Sequence, residues 1–281
     1  MATVKKKKSP VKAAKAKAAA KPAPIKSSTK FITIGDAKIE VQRRGKGKPL
    51  LLLYGEEALE LEASFVDALA RKYEVIIPSP PGFGKSNRPA WITNMDDIAY
   101  LYLDLIEKLD LKKLTVMGCS LGGWIALEMA TKDDSRFAKL LLVDPYGVKI
   151  GGPWDRDIAD IWCTHPATLA KLKWHDPEKG KRDFPAMPEA KLEIIARNVE
   201  STAAFCWEPY FHNPKLKHRL NRVSVPTLFV WGKGDGIVKE SYGKAYAKLV
   251  KGAKFASIAK AGHFPHIEQP EAFLKAVKGF I

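Results

Sequence analysis

The chain has 281 residues, 46% of them hydrophobic, enough to bury one large core or two modest ones. No apolar run approaches the roughly 20 residues that span a bilayer, and no apolar stretch of secretory-signal length follows the basic N-terminus, so a cytoplasmic protein with no membrane partner is expected. The formal charge is +16, but nine lysines lie in residues 1–26, which hold no acid, so the remainder carries only +7.

Residues 1–26 are Lys, Ala, Pro and Ser with almost no large apolar side chains. Such a segment cannot bury enough surface to offset its ordering entropy, which predicts a disordered tail. A flexible lysine-rich arm can neutralise phosphates. It carries no aromatic interleaving and no folded nucleic-acid motif, so it reads as a solubilising extension whose nucleic-acid contact would be weak and non-specific.

From residue 31 onward, short β-rich runs alternate with helical patterns, which predicts an α/β fold with a mostly parallel sheet. Runs 31–34 and 38–41 flank Gly35-Asp36, a hairpin signal. Strands follow at 50–54, 74–77, 114–117 and 140–143. Apolar residues at 98, 101, 102, 105 and 109 have helical spacing, with Asn94 as N-cap. Residues 146–216 break the rhythm: they are rich in Trp, His, Pro and charge, with helical pieces at 158–162 and 191–200. They read as a helical insertion between two strands. A strand at 227–231, a helix at 242–250 and a strand at 255–258 complete eight strands. A last helix after Pro270 places Phe273, Leu274, Val277 and Phe280 on one face. Cys119, Cys163 and Cys206 show neither paired spacing nor a matching His pattern and are expected to be plain buried or half-buried thiols.

The sharpest motif is Gly118-Cys119-Ser120-Leu121-Gly122, directly after a strand and directly before a helix. Small residues around a serine allow a tight, strained turn that exposes its hydroxyl, and the helix N-terminus points free N–H groups at the same place. A serine hydroxyl is a poor nucleophile unless a base takes its proton. His263 stands in the loop between the last strand and the last helix, where catalytic groups collect in α/β folds. His266 reads as a surface or supporting residue, and His165, His175, His212 and His218 as surface polar groups. The base needs a carboxylate to fix its tautomer. Asp235, in a Gly-rich turn after a strand, gives the chain order Ser, Asp, His. Asp144, at the end of the 140–143 strand, competes for the role. Gly84-Lys85-Ser86 ends like a phosphate-binding loop, but Ser79 occupies the required glycine position and Pro80 and Pro81 remove N–H donors, so it reads as a turn.

Taken together, residues 51–55, Pro81-Gly82-Phe83-Gly84-Lys85-Ser86, and residues 118–123, 226–235 and 261–270 resemble the successive signatures of the α/β-hydrolase superfamily. The resemblance implies an α/β-hydrolase core at 27–145 and 217–281, a helical cap at 146–216, and a serine hydrolase without metal or organic cofactor. It assigns Ser120, His263 and Asp235 as the catalytic triad, and the backbone N–H groups of Leu121 and Glu56 as the oxyanion hole. Here the usual His-Gly is Tyr54-Gly55, and Glu56 and Glu57 follow where small or apolar residues are commoner. A carboxylate about 4 Å from a developing oxyanion costs about 4 kcal/mol at an effective dielectric of about 20. The Glu56 side chain is therefore expected to point away, be protonated or be paired.

The implied substrate is a small molecule with an apolar part. A carboxylic ester is the first expectation; carbon–carbon bond hydrolysis of meta-cleavage type and cofactor-free perhydrolysis are alternatives. Relatives of the carbon–carbon type commonly carry Trp after the catalytic His, where this chain has Phe264. A non-catalytic ligand-binding protein on the same fold is the alternative of a different class. Trp154, Trp162, Trp174 and Trp207 are expected chiefly to pack the core of the insertion, with lining of an acyl pocket as their other use.

Overall fold

The computed structural model describes residues 25–56 and 63–281. The basic tail lies outside them apart from Ile25 and Lys26, and so does Glu57.

The first two strands, β1 (Ser27–Ile34) and β2 (Ala37–Gly45), form an antiparallel hairpin about Gly35-Asp36. Then come β3 (Lys48–Leu53), α1 (Ala63–Ala70), β4 (Tyr73–Pro78), α2 (Met95–Lys108), β5 (Leu114–Cys119), α3 (Leu121–Lys132) and β6 (Phe137–Val143). After a long connection, β7 (Thr227–Gly232), α6 (Glu240–Lys248), β8 (Lys254–Ile258), α7 (Pro265–Glu268) and α8 (Pro270–Val277) close the chain. The eight strands form one sheet in the order β1-β2-β4-β3-β5-β6-β7-β8. Only the β1–β2 and β2–β4 pairings are antiparallel.

Period-two alternation gives the parallel strands two apolar faces. Leu51 and Leu53 of β3 join Val116, Leu140 and Phe229 beneath α2, α3 and α6. Leu50 and Leu52 join Met117, Leu141 and Val230 on the other face, under α1 and α8. Helices cover both faces, which is why these strands read as continuous apolar runs. At α2, Asn94 Oδ1 accepts from the Asp97 amide at 3.0 Å while Asp97 Oδ2 accepts from the Asn94 amide at 3.2 Å, a reciprocal capping box. In α8, Phe273 and Val277 are buried.

Between β6 and β7, residues 144–226 carry α4 (Pro166–Lys173), α5 (Glu189–Cys206) and short 3₁₀ turns. The helical piece expected at 158–162 is irregular. Asp160 Oδ1 takes the amides of Trp162 and Cys163, so the side chain competes with a helical ladder, and Ile158 bridges to Val238 instead. The turn at 79–86 clamps α5 to the sheet: the Gly84 amide donates to Asn198 Oδ1 at 3.0 Å, and Arg197 Nη2 donates to the Ser86 carbonyl at 2.9 Å. Among the described residues, no helix is long and apolar enough to cross a membrane.

Of the four tryptophans expected to pack this segment, only Trp174 is fully buried, with its ring against Phe264. Trp162 is half-buried. Trp154 and Trp207 are 97% and 61% exposed, because their stretches lack a second apolar layer to cover them. Cys119 and Cys206 are buried, and neither is in a disulfide, whereas Cys163 is exposed, since it sits in the Asp160 turn facing solvent.

Candidate active site

The parallel order β5-β6-β7-β8 brings the carboxyl ends of four adjacent strands side by side. The β5–α3 turn presents Ser120 with φ 52° and ψ −116°, a conformation that costs a non-glycine residue energy and persists only where the surroundings enforce it. Two contacts enforce it. The Ser120 amide donates to the Val143 carbonyl at 2.8 Å, and Gly122 lies so close to β3 that a Cβ there would run into the Leu53 carbonyl oxygen.

His263 follows β8. Its Nε2 lies 2.7 Å from Ser120 Oγ and its Nδ1 2.8 Å from Asp235 Oδ2. An ionised carboxylate only accepts, so Nδ1 carries the proton and Nε2 offers its lone pair to the hydroxyl. Asp235 Oδ1 accepts from the amides of Ile237 at 2.8 Å and Val238 at 3.0 Å, which fixes the carboxylate in the loop after β7. The loops carrying Asp235 and His263 cross so tightly that a Cβ on Gly232 would meet the Gly262 carbonyl oxygen. Ser120, Asp235 and His263 are each at most 5% exposed.

Asp144, the competing carboxylate, does not touch His263 by a hydrogen bond. Its Oδ1 accepts from the Gly232 amide at 3.0 Å, and its Oδ2 has no hydrogen-bond partner among the described residues. Burial first, and the neighbouring Asp235 charge second, hold its carboxyl well above the usual carboxylate range. Asp144, Asp235 and His263 are the one group of potential metal ligands among the described residues, with ligand atoms within 4.8 Å, but His263 Nδ1 is already committed to Asp235.

The sequence reading missed two supporting groups. Glu268 is buried, and it accepts from the amides of Gly262 at 2.6 Å, Asp176 at 3.0 Å and His175 at 3.2 Å. It thereby ties the end of α4 to the His263 loop, and the His263 amide reaches the Lys173 carbonyl at 2.8 Å. Tyr146 is buried and stacks on the His263 ring, with centroids 5.2 Å apart and an angle of 22°. Its only sequence signal is its place just after Asp144-Pro145. His266, read as a surface or supporting residue, is fully buried among Phe65, Phe264 and Phe273. His165, His175 and His218 are exposed and His212 is half-buried.

Glu56 does not point away. Its Oε2 lies 3.0 Å from Ser120 Oγ, and its Oε1 accepts from the Tyr146 hydroxyl at 3.2 Å. Burial first, and the Glu56 charge second, push the Tyr146 phenol well above its ordinary range, so it remains a donor. Leu121 opens α3, and its amide has no intrahelical acceptor. Glu56 also borders a cavity of about 300 Å³ walled by Ile161, Trp162, Leu169, Phe184 and Ile195, the lower end of the range for small-molecule sites.

The raised Asp144 carboxyl has a consequence for stability. The folded chain keeps this proton to higher pH than the unfolded chain, whose carboxyl titrates near about 3.9. Folding stability from this group is therefore full below that value and is lost as pH rises toward the raised folded one. Asp144→Asn cannot ionise. Thermal melts of variant and wild type across pH 4 to 8 should show the variant gaining relative stability as pH rises, and a constant difference would contradict the raised Asp144 carboxyl.

A sequence model of the alpha/beta hydrolase family matches residues 55–276. Among similar proteins, the 2-hydroxy-6-oxo-6-(2'-aminophenyl)hexa-2,4-dienoic acid hydrolase of Metapseudomonas resinovorans is 27% identical over 90% of both chains. The 3-oxoadipate enol-lactonase 1 of Acinetobacter baylyi is 22% identical over 77% of this chain and 81% of its own. A serine hydrolase involved in carbazole degradation superposes with a TM-score of 0.71 at 25% identity, covering 91% of this chain and 98% of the other. The family match runs through most of the chain, and the sheet has the matching mostly parallel, eight-stranded order: the protein belongs to the alpha/beta hydrolase family.

Proposed function

We propose that this hydrolase acts by acyl transfer to Ser120. The observation that carries the reading is the buried relay from Ser120 Oγ through His263, 2.7 Å away on one side, to Asp235, 2.8 Å away on the other. His263 takes the hydroxyl proton as Oγ attacks a carbonyl carbon and returns it to the leaving group. Asp235 holds the tautomer and stabilises the imidazolium. The amides of Leu121 and Glu56 receive the oxyanion. Water then releases the acyl group, with His263 as base again. Residues 146–216 act as a cap whose apolar wall, from Ile161 to Ile195, receives the body of the substrate.

The substrate we propose is a small carboxylic ester with an apolar part. The similarity to an enol-lactonase supports this, because a lactone is an ester closed on itself. A second reading, carbon–carbon bond hydrolysis, draws on the 27% identity with the dienoic acid hydrolase, whose named substrate is a vinylogous diketone in its keto form. In both readings Ser120 attacks a carbonyl carbon; in the second, the dienol must first tautomerise to the ketone, which stabilises the departing carbon.

Ser120→Ala should leave the fold intact and abolish turnover of short p-nitrophenyl esters; turnover near the wild-type rate would remove the assignment. The two acids separate by activity. Asp235→Asn should lower kcat by about 10⁴ by holding the imidazole in the wrong tautomer, while Asp144→Asn should cost far less. The reverse ranking, in folded variants, would exchange their roles.

A further inference from the structure

The acyl-transfer reading uses the Glu56 amide but leaves its side chain without a task, although the carboxylate touches the attacking oxygen. A serine hydroxyl has one proton to donate. Two acceptors face it, His263 Nε2 at 2.7 Å and Glu56 Oε2 at 3.0 Å. The arrangement that activates Ser120 sends the proton to His263, and once Ser120 is acylated the proton is gone. Among the described residues, Ser120 is the only donor to Oε2, and Tyr146 serves the other oxygen. Cys206, also near it, is a buried thiol pushed up by burial first and by the Glu56 charge second.

Glu56 is half-buried at the edge of the cavity, so once a bound acyl group fills that space, an Oε2 that has lost its donor raises the energy of the complex unless the substrate supplies another. The position it addresses is defined. An acyl carbon bonded to Oγ, one bond of about 1.5 Å away, lies within about 4.5 Å of Oε2, so a polar hydrogen on the next atom is in reach. Without such a donor, the Glu56 charge only opposes the growing oxyanion.

We propose that Glu56, fixed by Tyr146, is the specificity-determining residue of this site, selecting acyl groups that carry an O–H or N–H donor on the atom next to the reacting carbonyl. The preferred substrates are 2-hydroxyacyl and 2-aminoacyl esters rather than plain alkanoyl esters. The proposal rests on the acyl-transfer reading of Ser120.

The test compares p-nitrophenyl glycolate with p-nitrophenyl propionate, which differ by a hydroxyl in place of a methyl, each corrected for its spontaneous hydrolysis. Wild type should prefer glycolate at least tenfold in kcat/KM; a ratio of one or below overturns the proposal without any variant. Glu56→Leu should lower the ratio tenfold or more while raising turnover of propionate, and Glu56→Gln, which keeps a neutral acceptor, should fall between. Equal losses for both esters would mean that Glu56 is only structural and would overturn it. Tyr146→Phe keeps the ring on His263 but releases Oε1, so it should narrow the ratio; an unchanged ratio counts against the proposal. Ser120→Ala must silence both esters. If it does not, the acyl-transfer reading fails; if it does while the Glu56 ratio stays fixed, only the present proposal fails.

Discussion

A line of hydrogen-bonded polar groups runs through an apolar interior from Ser120 to Asp235, and each buried group in it takes its hydrogen bonds from the protein. That requirement fixes much of the surrounding structure. Asp235 can remain buried because two backbone amides and the imidazole converge on it. Those amides exist where they do because β7 ends beside β6 and β8, and because the two flanking loops cross at Gly232 and Gly262 without side chains between them. The strained Ser120 turn is the other end of the same line, held by a backbone bond to β6 and by close packing of α3 on β3.

Four carboxyl groups lie in or next to this line, and the chain treats each differently. Asp235 is surrounded by donors. Asp144, one strand over, receives a single amide and faces another carboxylate, and burial with that neighbouring charge holds its carboxyl well above the usual carboxylate range. Glu268 collects three amides and works as a staple between α4 and the His263 loop. Glu56 has one phenolic donor and shares one hydroxyl, the hydroxyl that Ser120 gives up when it reacts. Side-chain type alone does not distinguish these roles; the number of donors reaching each oxygen does.

The sheet was legible in the sequence because its strands are buried on both faces and stand out as short apolar runs between turn residues. Ser120, His263 and Asp235 were legible because each ends a strand in a loop of small residues. The α4 helix was not, since it has no fully buried side chain and only a weak apolar pattern. Glu268 was missed because its partners at 175 and 176 come from more than ninety positions earlier in the chain, and nothing local marks a carboxylate for burial. The direction of the Glu56 side chain follows from Tyr146, a contact 90 positions away. The exposure of Trp154 and Trp207 likewise depends on what fails to pack over them.

The central claim is that Ser120 is the nucleophile that the relay activates. Treating the folded protein with a fluorophosphonate and mapping the product by mass spectrometry addresses it directly. The account predicts one adduct per chain, located on the peptide that carries Ser120. Unmodified protein after full exposure, or an adduct on another residue, would contradict it.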